Sequence, residues 1–161
     1  MVVPSRAQEL SRLSALARAF HLKIPQNQAL GLEILGFDSG LARLRLPYRS
    51  DLAGDPESGI LHPGAIYSLL DATFGLAAFM ALSSPMQVAT LDLRVDTLGP
   101  ASPGAALHAR GECYRLTQTI AFVRGIAFHS DEASPIAAGS ATFMISGGKR
   151  SGRAAGGEHS P

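Results

Sequence analysis

Residues 61–82 have the sequence LHPGAIYSLLDATFGLAAFMAL, which predicts a long helix with apolar side chains on nearly every face. Pro63 suits the first helical position, and Ser83-Ser84-Pro85 marks the end. From Pro63 to Met86 the only charged residue is Asp71. Because burying an unpaired carboxylate is costly, Asp71 is the first candidate for a functional residue.

Strands are predicted on both sides of this helix. Asp38-Ser39-Gly40 is a turn sequence that separates the two strands before it. After the helix, strict alternation of apolar and polar residues indicates a strand with one buried face. Short turn sequences separate the last three strands, which we expect to be antiparallel neighbours. The predicted strands are 30–37, 41–48, 90–96, 105–115, 119–129 and 135–145.

The two ends of the chain differ from this central region. Residues 5–20 predict an extra amphipathic helix, and we expect Pro25 to stop any continuation. Residues 147–161 hold five glycines and no bulky apolar residue, which predicts a flexible tail. We therefore expect one α+β domain over residues 1–146, in which a curved antiparallel sheet of about six strands wraps around the long helix.

Composition excludes several classes of function. The 161 residues carry a net charge of +1, with 6% aromatic residues and no Trp, so no nucleic-acid partner is expected. The long helix could span a bilayer by length, but Asp71 and the lack of flanking Lys or Arg argue against a membrane segment. No signal-peptide pattern is recognised at the start, and we expect a cytoplasmic protein.

Metal and cofactor chemistry finds little support in the sequence. The five histidines lie far apart, so no metal site is expected, and no cofactor fingerprint is present. The single cysteine, Cys113, lies in an alternating strand and is interpreted as an inert core thiol. Arginines on the predicted strands, such as Arg94, belong either to a solvated face or to a phosphate contact.

His62 and Gly64 give Asp71 a possible chemical context. They lie at the start of the same helix, where free N–H groups and the positive end of the helix dipole favour an anionic oxygen. A carboxylate on that helix could then act on a water molecule or on a substrate carbonyl. The alternative is an acid that caps a turn or pairs with one arginine.

The segment GILHPGAIYSLLDATFG (59–75) resembles the helix-start signature of hotdog-fold acyl-CoA thioesterases of the phenylacetate-degradation (PaaI-like) type. In that signature a His precedes an acid by nine positions, as His62 precedes Asp71 here. The segments TLDLRVDTLGPASPG (90–104) and IAAGSATFMI (136–145) resemble the family's next strand and its final strand.

The resemblance implies a hotdog fold whose subunits join edge to edge into a dimer or tetramer, with the active site at the subunit interface. Asp71 would be the general base or nucleophile, Thr90 would assist the water, and His62 would shape the helix start. The family usually has Gly where this chain has Pro63, which lacks an N–H, so we expect the N–H of Gly64 to replace that oxyanion donor. The remaining substrate-binding candidates are Pro63, Ala65, Tyr67 and Arg94.

The leading hypothesis is hydrolysis of a small or aryl acyl-CoA to the free acid and CoA. A non-catalytic acyl-CoA-binding hotdog protein is the alternative, favoured by Pro63. A hydratase or dehydratase would need an Asp–His pair near the helix start, where only His62 is present. A purely structural domain is the last alternative.

Overall fold

Three helices and six strands make up the computed structural model, which describes residues 6–147. A short 3₁₀ turn, Ser50–Leu52, lies in the loop before the long helix. The helices are α1 (Arg6–Leu22), α2 (Pro25–Leu30) and α3 (Pro63–Met80), and the strands are β1 (Glu33–Asp38), β2 (Leu41–Leu46), β3 (Gln87–Thr97), β4 (Leu107–Leu116), β5 (Ile120–Phe128) and β6 (Ala137–Ser146).

The six strands form one antiparallel sheet in the order β1-β2-β4-β5-β6-β3. Helix α3 packs against all six strands, and most of its residues are buried. This arrangement is the hotdog fold, so the predicted class is confirmed, as is the antiparallel pairing of β4, β5 and β6. Among the described residues 6–147, strand β3 pairs only with β6 and forms one edge of the sheet.

A row of glycines lets α3 approach the sheet closely. Gly111, Gly125 and Gly139 lie directly opposite one another on β4, β5 and β6. The ring of Phe74, which is fully buried, covers this row. A Cβ atom at the three glycines would stand 2.9, 2.5 and 3.3 Å from atoms of that ring. Any larger residue would therefore displace the helix or the ring.

The apolar character of α3 is explained by its place in the core. The helix is long and apolar enough to cross a membrane by length and composition alone, but 67% of its residues are buried inside the protein. A core helix enclosed by a curved sheet must be apolar on most faces, because the sheet covers them.

Helix α1 ends at Leu22 and does not continue past Pro25, as expected, but Pro25 was expected only to stop a helix and not to begin one. Pro25 is instead the first residue of α2, after Ile24 in an extended conformation. Proline suits this position because its missing N–H would have no partner in the first helical turn. Gly31, with φ +68°, ends the helix in the left-handed conformation that glycine adopts freely.

Strand β3 is where the alternating pattern predicts it, but its predicted buried face is only partly formed. Leu93 and Val95 are half-buried, whereas Leu91 is 55% exposed. The pairing register with β6 shifts between Thr90 and Asp92, so Leu91 lies in a β-bulge. An edge strand with a bulge cannot bury one full face.

The predicted tail, residues 147–161, lies outside the described residues except for Gly147. Both the flexible tail and the domain boundary at residue 146 therefore stay predictions.

Candidate active site

One stripe of α3 is not covered by the sheet. Gly64 and Tyr67 are exposed on it, and Ser68 and Asp71 are half-buried, at intervals of three and four residues along one face of the helix. Ala72 to Ala78, which follow, are all buried. The acid in the apolar helix is explained by this position, because Asp71 lies beside the sheet edge and not beneath the sheet.

Asp71 is joined to the edge strand through Thr90. The Thr90 hydroxyl donates a hydrogen bond to Oδ1 of Asp71 at 2.8 Å. One turn earlier on α3, the Tyr67 hydroxyl donates to the backbone carbonyl of Val95 at 3.3 Å. The two contacts hold the open face of α3 against β3, and the first fixes the orientation of the carboxylate.

His62 caps the start of α3. Its Nδ1 accepts a hydrogen bond from the N–H of Gly64 at 3.0 Å, and its backbone carbonyl accepts from the N–H of Ala65 at 2.9 Å. The Gly64 N–H, which the sequence predicts to be without a partner, is therefore bonded to an imidazole nitrogen. The physical reason is capping: a helix start exposes N–H donors, and the preceding side chain reaches back to satisfy one.

A cavity of about 250 Å³ adjoins Asp71. Its walls come from α3, from the strands β3 and β6, and from the α1–α2 region. Its wall is about half polar and half apolar. The polar residues are Gln26, Asn27, Tyr67, Ser68, Asp71 and Thr90, and the apolar residues are Phe20, Ile24, Ala72, Gly75, Val88 and Phe143. A cavity in which polar groups converge beside apolar surface is a common form of small-molecule site.

A second cavity, of about 290 Å³, lies at the start of α3. His62, Gly64 and Ala65 line it, together with residues of the loop that contains the 3₁₀ turn. Ser68 lines both cavities and accepts a hydrogen bond from the Gln26 side chain at 3.1 Å. Six of the eight predicted site residues thus fall into two groups, one around Asp71 and one around the helix start.

Two predicted substrate-binding residues belong to neither group. Pro63 is exposed at the first position of α3. Arg94 lies on β3, with an exposed side chain that donates hydrogen bonds to Asp96 at 3.1 and 3.2 Å. Neither side chain lines the two cavities.

The side chain of Cys113 lines neither cavity. Burial raises the pKa of the Cys113 thiol above its ordinary value, which keeps the sulfur protonated and weakly nucleophilic. Among residues 6–147, no three side chains of His, Cys, Asp or Glu come together as a metal site would require.

The sequence alone did not predict the contribution of the α1–α2 region to the Asp71 cavity. Phe20, Ile24, Gln26 and Asn27 line it, yet they lie more than forty positions before Asp71 in the chain. The amphipathic pattern of α1 indicates that its apolar face is covered, but not which element covers it.

Comparison with known proteins identifies the family. Residues 58–136 match the model of the thioesterase superfamily. A solved structure from Pseudomonas aeruginosa is 39% identical, with a TM-score of 0.75, over 82% of this chain and 98% of that one. The chain belongs to the thioesterase superfamily.

Two further relatives agree with this assignment. The medium/long-chain acyl-CoA thioesterase YigI of Escherichia coli is 28% identical over 83% of this chain and 93% of its own length. The PaaI protein from the phenylacetic acid degradation operon of Escherichia coli shares the fold, with a TM-score of 0.76 over 86% of this chain and 96% of that one at 18% identity. The PaaI likeness supports the fold alone, and the match to the thioesterase superfamily together with the acyl-CoA thioesterase relative identifies the chain as an enzyme that hydrolyses thioesters.

Proposed function

We propose that this enzyme hydrolyses small or aryl acyl-CoA thioesters, with Asp71 as the acid/base group or nucleophile. The observation that carries the proposal is the Asp71–Thr90 pair at the wall of a cavity whose lining also offers apolar surface. An oriented carboxylate next to a place for an acyl group is what thioester hydrolysis requires. The name of YigI, an acyl-CoA thioesterase, supports CoA as the thiol of the substrate.

In the general-base form of the reaction, Asp71 takes a proton from water as the water oxygen attacks the thioester carbonyl carbon. The tetrahedral intermediate then collapses, the C–S bond breaks, and the CoA sulfur leaves as the thiolate. The proton held by Asp71 passes to that thiolate, which gives free acid and CoA. Thr90 orients the carboxylate through its hydrogen bond at 2.8 Å.

The developing oxyanion needs a donor close to the acyl carbon. We propose the N–H of Gly64 for this role, and the carbonyl oxygen would take the place of Nδ1 of His62 as its acceptor. Asp71 lies seven residues after Gly64, which is about 10 Å along the helix axis. One thioester cannot contact both groups of the same helix, so this donor would come from the α3 start of a second subunit.

The size and lining of the Asp71 cavity support a small or aryl acyl group. Its volume is about 250 Å³, and Phe20 and Phe143 contribute aromatic surface to its wall. Apolar cavities of about 150 Å³ accept a benzene molecule. A phenyl ring with a short linker to the thioester therefore fits this space.

Replacement of Asp71 by Asn tests the assignment. Asp71→Asn keeps the shape of the side chain but cannot accept a proton, so turnover should fall by about 10²–10⁴ while acyl-CoA binding persists. Thiol release from a panel of acyl-CoAs measures turnover, and calorimetry measures binding. Asp92→Asn is the matched control, because Asp92 is an exposed acid on the same edge strand as Thr90.

Two results would contradict the proposal in different ways. Full activity in Asp71→Asn would show that another group performs the chemistry. Binding of acyl-CoA by the unaltered protein with no turnover of any member of the panel would instead identify a non-catalytic acyl-CoA-binding protein.

A further inference from the structure

A third cavity lies further along α3 from Asp71. Its volume is about 360 Å³, and it sits between α1 and the C-terminal end of α3. The side chains on its wall are mainly apolar, among them Leu13, Leu16, Phe79, Met80 and Leu82. Nothing in the chemistry proposed for Asp71 uses this cavity, which we call the distal cavity.

One pair of aromatic rings stands between the two cavities. Phe20 of α1 lines the Asp71 cavity, and Phe79 of α3 lines the distal cavity. The two rings are stacked, with centroids 4.6 Å apart and planes 19° from parallel. Both side chains are half-buried. The stacked pair therefore forms a wall that each cavity meets from its own side.

The wall lies on the path that an acyl chain would follow from the reacting carbonyl. Asp71, Gly75 and Phe79 are spaced by four residues, so they lie on one face of α3. Phe79 is about 12 Å beyond Asp71 along the helix axis. A chain that leaves Asp71 along this face passes Gly75 and then meets the aromatic pair.

Gly75 is itself an indication that this path is kept open. Glycine in a helix interior is less favourable than alanine. A Cβ atom at Gly75 would stand 3.6 Å from Cε1 of Phe143 and 3.9 Å from Cζ of Phe20, which are ordinary contact distances. Packing would accept a methyl group at this position. The effect of its absence is to leave room in the Asp71 cavity, which Gly75 lines.

We propose that the Phe20–Phe79 pair determines substrate specificity by limiting the length of the acyl group. This inference rests on the function proposed above. The pair closes the Asp71 cavity, so the enzyme favours acyl groups that end before Phe20. Without one ring, the two cavities join, and a longer saturated chain extends along α3 into the distal cavity.

The test is a chain-length profile of kcat/KM for saturated acyl-CoAs from two to sixteen carbons. The unaltered enzyme should favour the short members. Phe20→Ala and Phe79→Ala should each move the maximum to longer chains, with a gain of about fourfold for each methylene group newly buried. Gly75→Ala should move the profile the other way, because its methyl group fills part of the Asp71 cavity.

Leu22→Ala is the control for changes in α1, because Leu22 is 64% exposed and lines neither cavity. Its profile should match that of the unaltered enzyme. Circular dichroism establishes that each variant is folded. If Phe20→Ala and Phe79→Ala both unfold, Gly75→Ala still tests the proposal. This variant should fold, because alanine favours a helix, and the proposal requires that its kcat/KM for longer acyl chains falls.

The outcomes separate this inference from the proposed function. An active enzyme whose profile is the same in folded Phe20→Ala and Phe79→Ala would overturn the inference and leave the function intact. A profile unchanged in Gly75→Ala would also count against it. Absence of turnover in the unaltered enzyme with every acyl-CoA would overturn the proposed function and, with it, the inference.

Discussion

At the scale of single residues, Thr90 is the partner that gives Asp71 its orientation. Its hydroxyl is the donor in the 2.8 Å contact with Oδ1. A valine at this position keeps the β-branched shape that strands favour but removes the donor. Thr90→Val should therefore lower kcat modestly, by about the tenfold that one hydrogen bond of about 1.4 kcal/mol represents.

Steady-state thiol release measures the effect of Thr90→Val, and Thr97→Val on the same strand is its control. A rate equal to that of the unaltered enzyme would leave Thr90 as an ordinary strand residue.

Pro63 offers a second test at this scale. If Gly64 supplies the oxyanion donor, a new N–H at residue 63 adds little, and Pro63→Gly should leave kcat nearly unchanged. The loss of one oxyanion donor usually costs about 10²–10³ in kcat. A gain of that size in Pro63→Gly would show that Gly64 is an inadequate donor and that the natural enzyme is impaired at this step.

At the scale of elements, the fit of α3 to the sheet depends on the glycines beneath Phe74. A Cβ atom at Gly125 would overlap the backbone carbonyl oxygen of Arg110 and stand 2.5 Å from the Phe74 ring. Gly125→Ala should destabilise the protein by about 3 kcal/mol or more, because a strand and a helix must both move.

Urea unfolding followed by circular dichroism measures the stability of Gly125→Ala. Gly36→Ala is the matched control, since Gly36 also lies in a strand and a Cβ atom there meets nothing within 4 Å. Equal urea midpoints for the two variants would show that the sheet accommodates the added Cβ atom at residue 125 without loss of stability.

The elements differ in how far the sequence predicts them. The long helix and the six strands are predictable, because each has a clear apolar period or is bounded by turn residues. Helix α2 is not predictable, because six residues are too few to show a helical apolar period. Proline is also no guide, since it is common both at the start of a helix and after its end. The exposure of Leu91 depends on a bulge, which alternation cannot show.

The candidate active site is also only partly predictable from the sequence. The spacing of His62 and Asp71 and the residue type at Thr90 could be recognised from the sequence, and their catalytic roles stay predictions. The cavity wall formed by Phe20 could not be recognised from the sequence, because it depends on where α1 packs. The hydrogen bond from Gly64 to His62 depends on a side-chain conformation that residue spacing does not determine.

At the scale of the whole molecule, no strand in the described part of the chain pairs with the outer side of β3. Such an edge readily pairs with another chain. We propose that two copies join along β3, which would also bring the α3 start of one copy near Asp71 of the other. Light scattering coupled to size exclusion should give the mass of two or four chains.

A charged side chain on strand β3 tests whether two copies join along this edge. Leu91→Lys should shift the protein toward one chain and reduce turnover, because lysine on an edge strand opposes pairing. Met144→Lys is the control, since Met144 is also exposed but lies on β6, which has a strand on each side. An active protein with the mass of one chain would refute both the assembly and the shared site.

The glycine row beneath Phe74 also has a consequence for how the chain finds its native pairing during folding. A slip of two residues between strands keeps the same side chains facing the helix. At β5 such a slip would place Val123 or Ala127 under the ring, where there is no room for a side chain. Misaligned sheets therefore cannot accept α3. Packing of α3 therefore favours the native strand register, because that register places glycines under the Phe74 ring.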